Sequence, residues 1–294
     1  MSPEHFIGIC VAETRKLFSR LTARLGLVVV AFTAVFTVLF LSWLDGSQIG
    51  FSSVDGQGMV NESTLGGMLD LTGASTLIHT LWSRNVMFMG RVFIIALAAL
   101  SVASEFSSRT LREDVLRPVP RWSIPAAKFV ALTVWAALSL VVTFLFSAAL
   151  ALPIQGFGGP WGTTLLAYMA TLAGDMGFIG ITMLVAFTTR SVVGSIIVPF
   201  IFWLLSSVTG LVVLAANGIL IRVIEFFPEQ AAELQIWADR VATLNLWLPS
   251  SGLELWWTAA LGNSWAWQSV LVLILIIGTS TAATVAVFQH QDVP

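Results

Sequence analysis

Residues 25–44 read LGLVVVAFTAVFTVLFLSWL, twenty positions without a charged side chain. A helix rises about 1.5 Å per residue, so ~20 apolar residues match the hydrocarbon core of a bilayer. Five further stretches downstream have the same character. They lie at about 85–104, containing Arg91; 126–152, charge-free from Phe129 onward; 163–189, containing Asp175; 192–216, where Pro199 should bend the helix; and 268–288, charge-free. All are read as helices, because an open strand cannot pair its backbone groups in lipid. Composition agrees: the 294 residues are 57% hydrophobic and only 10% charged, with a mean hydropathy of +0.89. Soluble domains carry about 25% charged residues. The expected class is therefore all-α integral membrane, with six transmembrane helices in a multi-pass protein of the cell (inner or plasma) membrane.

Lysine and arginine set the expected orientation. Arg15, Lys16, Arg20 and Arg24 precede the first span, the loop between spans two and three has five counting Lys128, and Arg190 lies in the fourth loop. The opposite side has Arg84, Arg222 and Arg240, which places both termini in the cytoplasm. Trp43, Trp82, Trp161, Trp256, Trp257, Trp265 and Trp267 cluster near the expected outer interface, where this residue is favoured. The outer segments are then 45–84, rich in glycine and serine, and 217–267. In the second, Leu234, Trp237, Val241 and Leu244 recur at helical spacing opposite Glu233, Asp239 and Arg240. That pattern is an amphipathic helix lying on the outer surface, or else part of a packed extracellular cap.

Residues 105–121, EFSSRTLREDVLRPVPR, concentrate the scarce charges between two apolar stretches. Thr110 and Glu113 have the Thr-x-x-Glu spacing of a capping box. Leu111 and Val115 share one face away from Arg112 and Asp114, and Pro118 and Pro120 prevent continuation. The segment is a short polar helix, about 110–117, at the membrane surface. Its order is Glu105, Arg109-Thr110-Leu111, Arg117-Pro118-Val119-Pro120-Arg121, then Lys128. That order resembles the second cytoplasmic segment of ABC transporter permeases of the type-2 exporter class. The six-span plan, Thr189-Arg190-Ser191 and Leu248-Pro249 echo the same family, whereas Arg109 stands where the family commonly has glycine.

What the resemblance implies is an ATP-driven exporter. Its coupling helix, drawn from Glu105, Arg109, Thr110, Leu111, Arg112, Glu113, Val115, Arg117, Pro118 and Arg121, docks on a separate ABC ATPase subunit. The permease pairs with a second copy or a homologue to form the path. Read as residues alone, the same loop only sets topology. Residues 1–24 form a cytoplasmic interface helix ahead of the transmembrane domain, 25–294. Phe6, Ile9, Cys10, Leu17 and Leu21 line one face, opposite Glu13, Arg15, Lys16 and Arg20. Its basic face suits anionic lipid as well as a protein partner.

No catalytic or metal site is expected. Cys10 is the only cysteine, and His5, His79 and His290 are widely separated. The two lysines, Lys16 and Lys128, do not fit the P-loop pattern GxxxxGK[ST]. This chain therefore needs no cofactor, and ATP and Mg²⁺ would be bound by the partner ATPase. A net charge of -2 argues against nucleic acid. Arg91 and Asp175 are the ionisable residues within spans, and each costs roughly 2.5–3.5 kcal/mol at a helix centre unless compensated. Arg91 lies fourteen residues before Glu105 and Asp175 fifteen before Arg190, so they share a depth. Pairing, a shared polar cavity, or snorkelling of Arg91 follows from that. Gly174, Gly177 and Gly180 permit either tight helix packing or a substrate-lining surface. Two alternatives to the exporter stay open: an ion- or proton-coupled secondary transporter using Asp175, and a membrane scaffold of a larger complex.

Overall fold

A computed structural model describes residues 3–46, 50–54, 60–64, 72–87, 90–108, 119–255 and 267–290. The chain opens with helix α1 (Pro3–Ser19) and, after a bend at Arg20, helix α2 (Leu21–Gly46). An antiparallel hairpin follows, β1 (Gly50–Val54) and β2 (Val60–Thr64), with Gly50 opposite Thr64. Helix α3 (Gly73–Trp82) runs into a π-helical turn, Ser83–Met87, and α4 spans Gly90–Ser107. The long helices α5 (Ser123–Gln155), α6 (Trp161–Thr189) and α7 (Val192–Phe226) come next. Helices α8 (Ala231–Leu246), α9 (Pro249–Leu253) and α10 (Trp267–His290) complete the described fold.

Among the described residues, five helices (α2, α5, α6, α7 and α10) are long and apolar enough to cross a membrane. Helices α3 and α4, bent by 51° at the break between them, make a sixth if they count as one span. The protein is multi-pass. Helix α6 is the centre of the assembly, with 67% of its span buried, against 11% for α7 and 17% for α10. Its sequence explains the position. Gly174, Gly177 and Gly180 form one stripe against which α9 and α10 close. A side-chain carbon at Gly174 would overlap the Leu253 carbonyl, one at Gly177 would lie 2.7 Å from Leu253 Cδ2, and one at Gly180 would overlap Ser280. Tight packing, not a substrate-lining surface, accounts for these glycines.

The second span differs most from the sequence reading. Residues 73–84, expected in the outer segment, pack among the helices; Leu77, Leu81, Thr76 and Thr80 have no exposed surface, while Trp82 is exposed. Threonine hydroxyls manage this by bonding inward, as Thr80 Oγ1 donates to Thr76 O at 2.9 Å. Thr37 of α2 donates to Ser83 at 2.7 Å. The start of α3 is satisfied by the α5–α6 loop, where Gly156 takes φ 77° and the Gly158 carbonyl accepts from Ala74 N at 3.1 Å. At the other end, α6 stops at Arg190 in a left-handed conformation (φ 52°), and Ser191 caps α7 by accepting from Gly194 N.

The amphipathic helix expected near 229–244 is α8, Ala231–Leu246. It packs on α7 with Ala238 buried and Leu234 and Val241 half-buried, while Ile236, Trp237 and Leu244 are exposed beside the equally exposed Asp239 and Arg240. Replacing Gly174 by Ala should lower the thermal midpoint of the detergent-solubilised protein by an amount equal to about 1–3 kcal/mol, the usual cost of overpacking. Gly278→Ala on α10 has nothing within 4 Å and should be neutral or slightly stabilising.

Candidate functional site

Two buried ionic clusters lie at different levels of the helical assembly. The first sits where α1, α4 and α5 meet. Glu105, near the end of α4, is only 2% exposed. Its Oε1 lies 2.7 Å from Lys16 Nζ and 3.5 Å from Arg20, and its Oε2 lies 2.7 Å from Lys128 Nζ. Lys128 also donates to Glu13 Oε2 at 2.8 Å. Arg20 donates to the Leu100 carbonyl at 2.6 Å and to Ser104 at 3.1 Å. On α1, Phe6, Ile9 and Cys10 are half-buried on the expected apolar face, Leu21 at the start of α2 is exposed, and Glu13, Lys16 and Arg20, expected on the opposite face, turn to ion-pair partners in this cluster. Among the three basic residues expected on the interface helix, Arg15 is the exposed one. Leu17 still packs inward, and Phe6 lies 5.7 Å from the Trp122 ring.

Of the ten positions expected to couple to an ATPase, the described residues include Glu105 and Arg121. Glu105 is turned into the protein rather than toward a partner. Arg121 is exposed, with Nη1 3.5 Å from the Gln289 carbonyl of α10. Arg109, Thr110, Leu111, Arg112, Glu113, Val115, Arg117 and Pro118 lie outside the described residues. Arg190, one of the weaker echoes, stacks its guanidinium over Phe106 at 5.7 Å.

The second cluster surrounds Asp175 on α6, which has no exposed surface. Arg84 donates to Asp175 Oδ2 at 3.0 Å and Arg91 Nε lies 3.7 Å from Oδ1. Arg84 is held further by Asn85 Oδ1 at 2.8 Å and Ser139 Oγ of α5 at 3.0 Å. Arg91 donates to the Leu253 carbonyl and to Glu254 Oε2, each at 3.1 Å, and its guanidinium stands 4.8 Å from the Phe178 ring centre. Arginine and carboxylate therefore alternate as Arg84, Asp175, Arg91, Glu254, with no formal net charge. That is how two guanidinium groups are accommodated in an apolar bundle.

Arg91 and Asp175 meet as their common depth implied, and Arg91 does not snorkel. A common depth does not point to Arg84 or Glu254: Arg84, on the expected outer segment, comes from the π-helical turn on the far side of the bend from Arg91. Glu254 lies between Leu253 and Leu255, both buried, in a segment whose local pattern signals only a loop.

A family match covers residues 61–293, which includes the whole Asp175 cluster together with Glu105 and Lys128. The chain belongs to the family described as protein of unknown function (DUF2705). None of the curated proteins compared matches it. In this DUF2705 protein the matched region begins after α1 and α2, so Glu13, Lys16 and Arg20 lie outside it.

Asp175→Ala should destabilise the protein by about 3–5 kcal/mol, since it leaves two buried cations without their shared anion. In double-mutant cycles, Arg84 with Asp175 should show the larger coupling and Arg91 with Asp175 the smaller, in the order of their separations. Unfolding in detergent, followed by far-UV circular dichroism, measures both.

Proposed function

We propose that this chain is the permease subunit of an ATP-driven ABC exporter, working as a pair of permeases with separate ATPase subunits that bind ATP and Mg²⁺. The observation that carries the reading is the ionic cluster at Glu105. The loop after α4 joins it to α5, and the family resemblance puts the coupling helix in that loop, at about 110–117. A push on the loop can do work on the membrane domain only if its two flanking helices respond together. Glu105 ties α4 to α1 through Lys16 and Arg20 and to α5 through Lys128, while Glu13 of α1 holds Lys128 from the other side. Displacement of the loop would then carry three helix ends as one piece.

This reading divides the ten expected coupling residues into two groups. Glu105 acts inside the chain as the tie between helices. Arg121 and residues 109–118 are left to meet the ATPase from the cytoplasm. The ion-coupled alternative has less support, because the Asp175 carboxylate is engaged by Arg84 and Arg91 and is closed to solvent. The scaffold alternative shares the tie but predicts no ATP-driven flux.

Leu111→Asp should weaken association with the cognate ATPase by about tenfold or more, the effect of charging an apolar anchor, while the chain still inserts. Glu105→Gln should retain the ATPase and lose ATP-dependent transport in proteoliposomes. Isolation of the native complex without any Walker-motif ATPase would overturn the proposal.

A further inference from the structure

Helix α8 has an outward face that its own chain leaves uncovered. Ala238 is buried and Leu234 and Val241 are half-buried on the side packed against α7. The opposite side is the line Ala232, Ile236, Asp239, Arg240, Thr243 and Trp247, all exposed, Ile236 by 54% and Trp247 by 45%. All of these but Ala232 line a shallow groove of about 470 Å³. Among the described residues, Asp239 and Arg240 meet no opposite charge. Asp239 accepts from Gln235 Nε2 at 3.0 Å, and the Arg240 guanidinium stands 5.1 Å from the Trp237 ring centre. Water suits the two charges but not Ile236 or Trp247, and lipid tails suit the reverse.

The same line is complementary to itself. From Ala232 its positions follow at four, seven, eight, eleven and fifteen residues, close to the spacing of a seam between two helices. Lay two copies of α8 antiparallel, with a two-fold axis passing between Asp239 and Arg240. Asp239 then faces Arg240 of the second copy, Ile236 faces Thr243, and Trp247 faces Ala232. On the flank, Trp237 faces Ala242. Every large side chain meets a smaller one and each charge meets its opposite. The symmetry makes each contact occur twice, as an isologous interface requires.

We infer that the outward face of α8 is the docking surface for a second copy of this chain, packed antiparallel about that axis. A second copy is the occupant that answers both halves of the mismatch. It brings a carboxylate to Arg240 and a guanidinium to Asp239, and it covers Ile236 and Trp247 with side chains small enough to admit them. Opposed charges also fix the register, since a slip along the seam separates them. The inference rests on the exporter reading for the pairing of permeases and adds the surface on which they meet; contact between copies needs no ATPase.

The test is disulfide cross-linking of the full-length chain in native membranes, with Cys10→Ser removing the natural cysteine. Ile236→Cys and Thr243→Cys in one chain should give a linked dimer on oxidation. They cannot join within a chain, because seven residues separate them by about 10 Å along the helix. Either cysteine alone should link about fivefold less or worse, since the axis holds it about 10 Å along the seam from its own copy. Asp239→Arg or Arg240→Asp should lower the linked fraction about tenfold by opposing like charges. The two together should restore it, because the charges are exchanged rather than lost, and that recovery also excludes misfolding as the cause. Equal linking by the single cysteines, or indifference to charge reversal, overturns the antiparallel seam. Absence of any link also overturns it and leaves the face to lipid headgroups. Copies that copurify without this link pair elsewhere, so the exporter reading would survive; a link without any ATPase partner would leave this inference standing alone.

Discussion

Burying a guanidinium in an apolar bundle is expensive, and the arrangement around Asp175 is the way this protein meets that constraint. Four segments distant in sequence must converge for it to work: the π-helical turn with Arg84, the start of α4 with Arg91, the middle of α6, and the turn after α9 with Glu254. Each would carry an uncompensated charge if it packed elsewhere. Convergence in turn dictates shape. Helix α3 has to enter the bundle to deliver Arg84, and α9 has to lie flat against α6 to deliver Glu254. The glycine stripe on α6 makes that second approach sterically feasible.

The cluster at Glu105 follows the same electrostatic logic near the other end of α4. There, Glu13 and Glu105 face Lys16, Lys128 and Arg20, and three helix ends that share a hydrophobic core through Leu17, Val102 and Ile124 are also joined by charge. Ion pairs of this kind specify which helix end sits beside which, and they do so over short distances. The two clusters share helix α4, which carries Glu105 near one end and Arg91 near the other. A movement imposed at the loop after Ser107 therefore has a rigid route to the Asp175 level.

Much of the helix plan was legible because lipid imposes a length and a composition. The charge-free run at 25–44 became α2, and 268–288 became α10 with a residue or two added. Helix α7 runs to Phe226, past the expected end at 216, and α5 (Ser123–Gln155) slightly outruns the expected 126–152, since hydrophobicity marks depth in the membrane whereas backbone hydrogen bonding continues beyond it. Residues 73–82, GASTLIHTLW, were illegible for the opposite reason. Small and hydroxylated side chains resemble a loop in composition, yet they suit a helix pressed against others, with Thr76 and Thr80 entirely enclosed. On α1 the polar stripe was visible, but not the direction it faces.

By itself, then, the sequence determined that this chain lives in a bilayer, that its crossing segments are helical, and that Arg91 and Asp175 lie at one depth. Those properties depend on local composition and on rise per residue. Tertiary structure alone decided which charges meet: Arg84 with Asp175, Glu254 with Arg91 across 163 residues of chain, and Glu105 with lysines from two other helices. Such pairings depend on the rotation of each helix about its axis and on the path of the turns between them. No local pattern records either, because a charged residue marks its own need for a partner without indicating where that partner is.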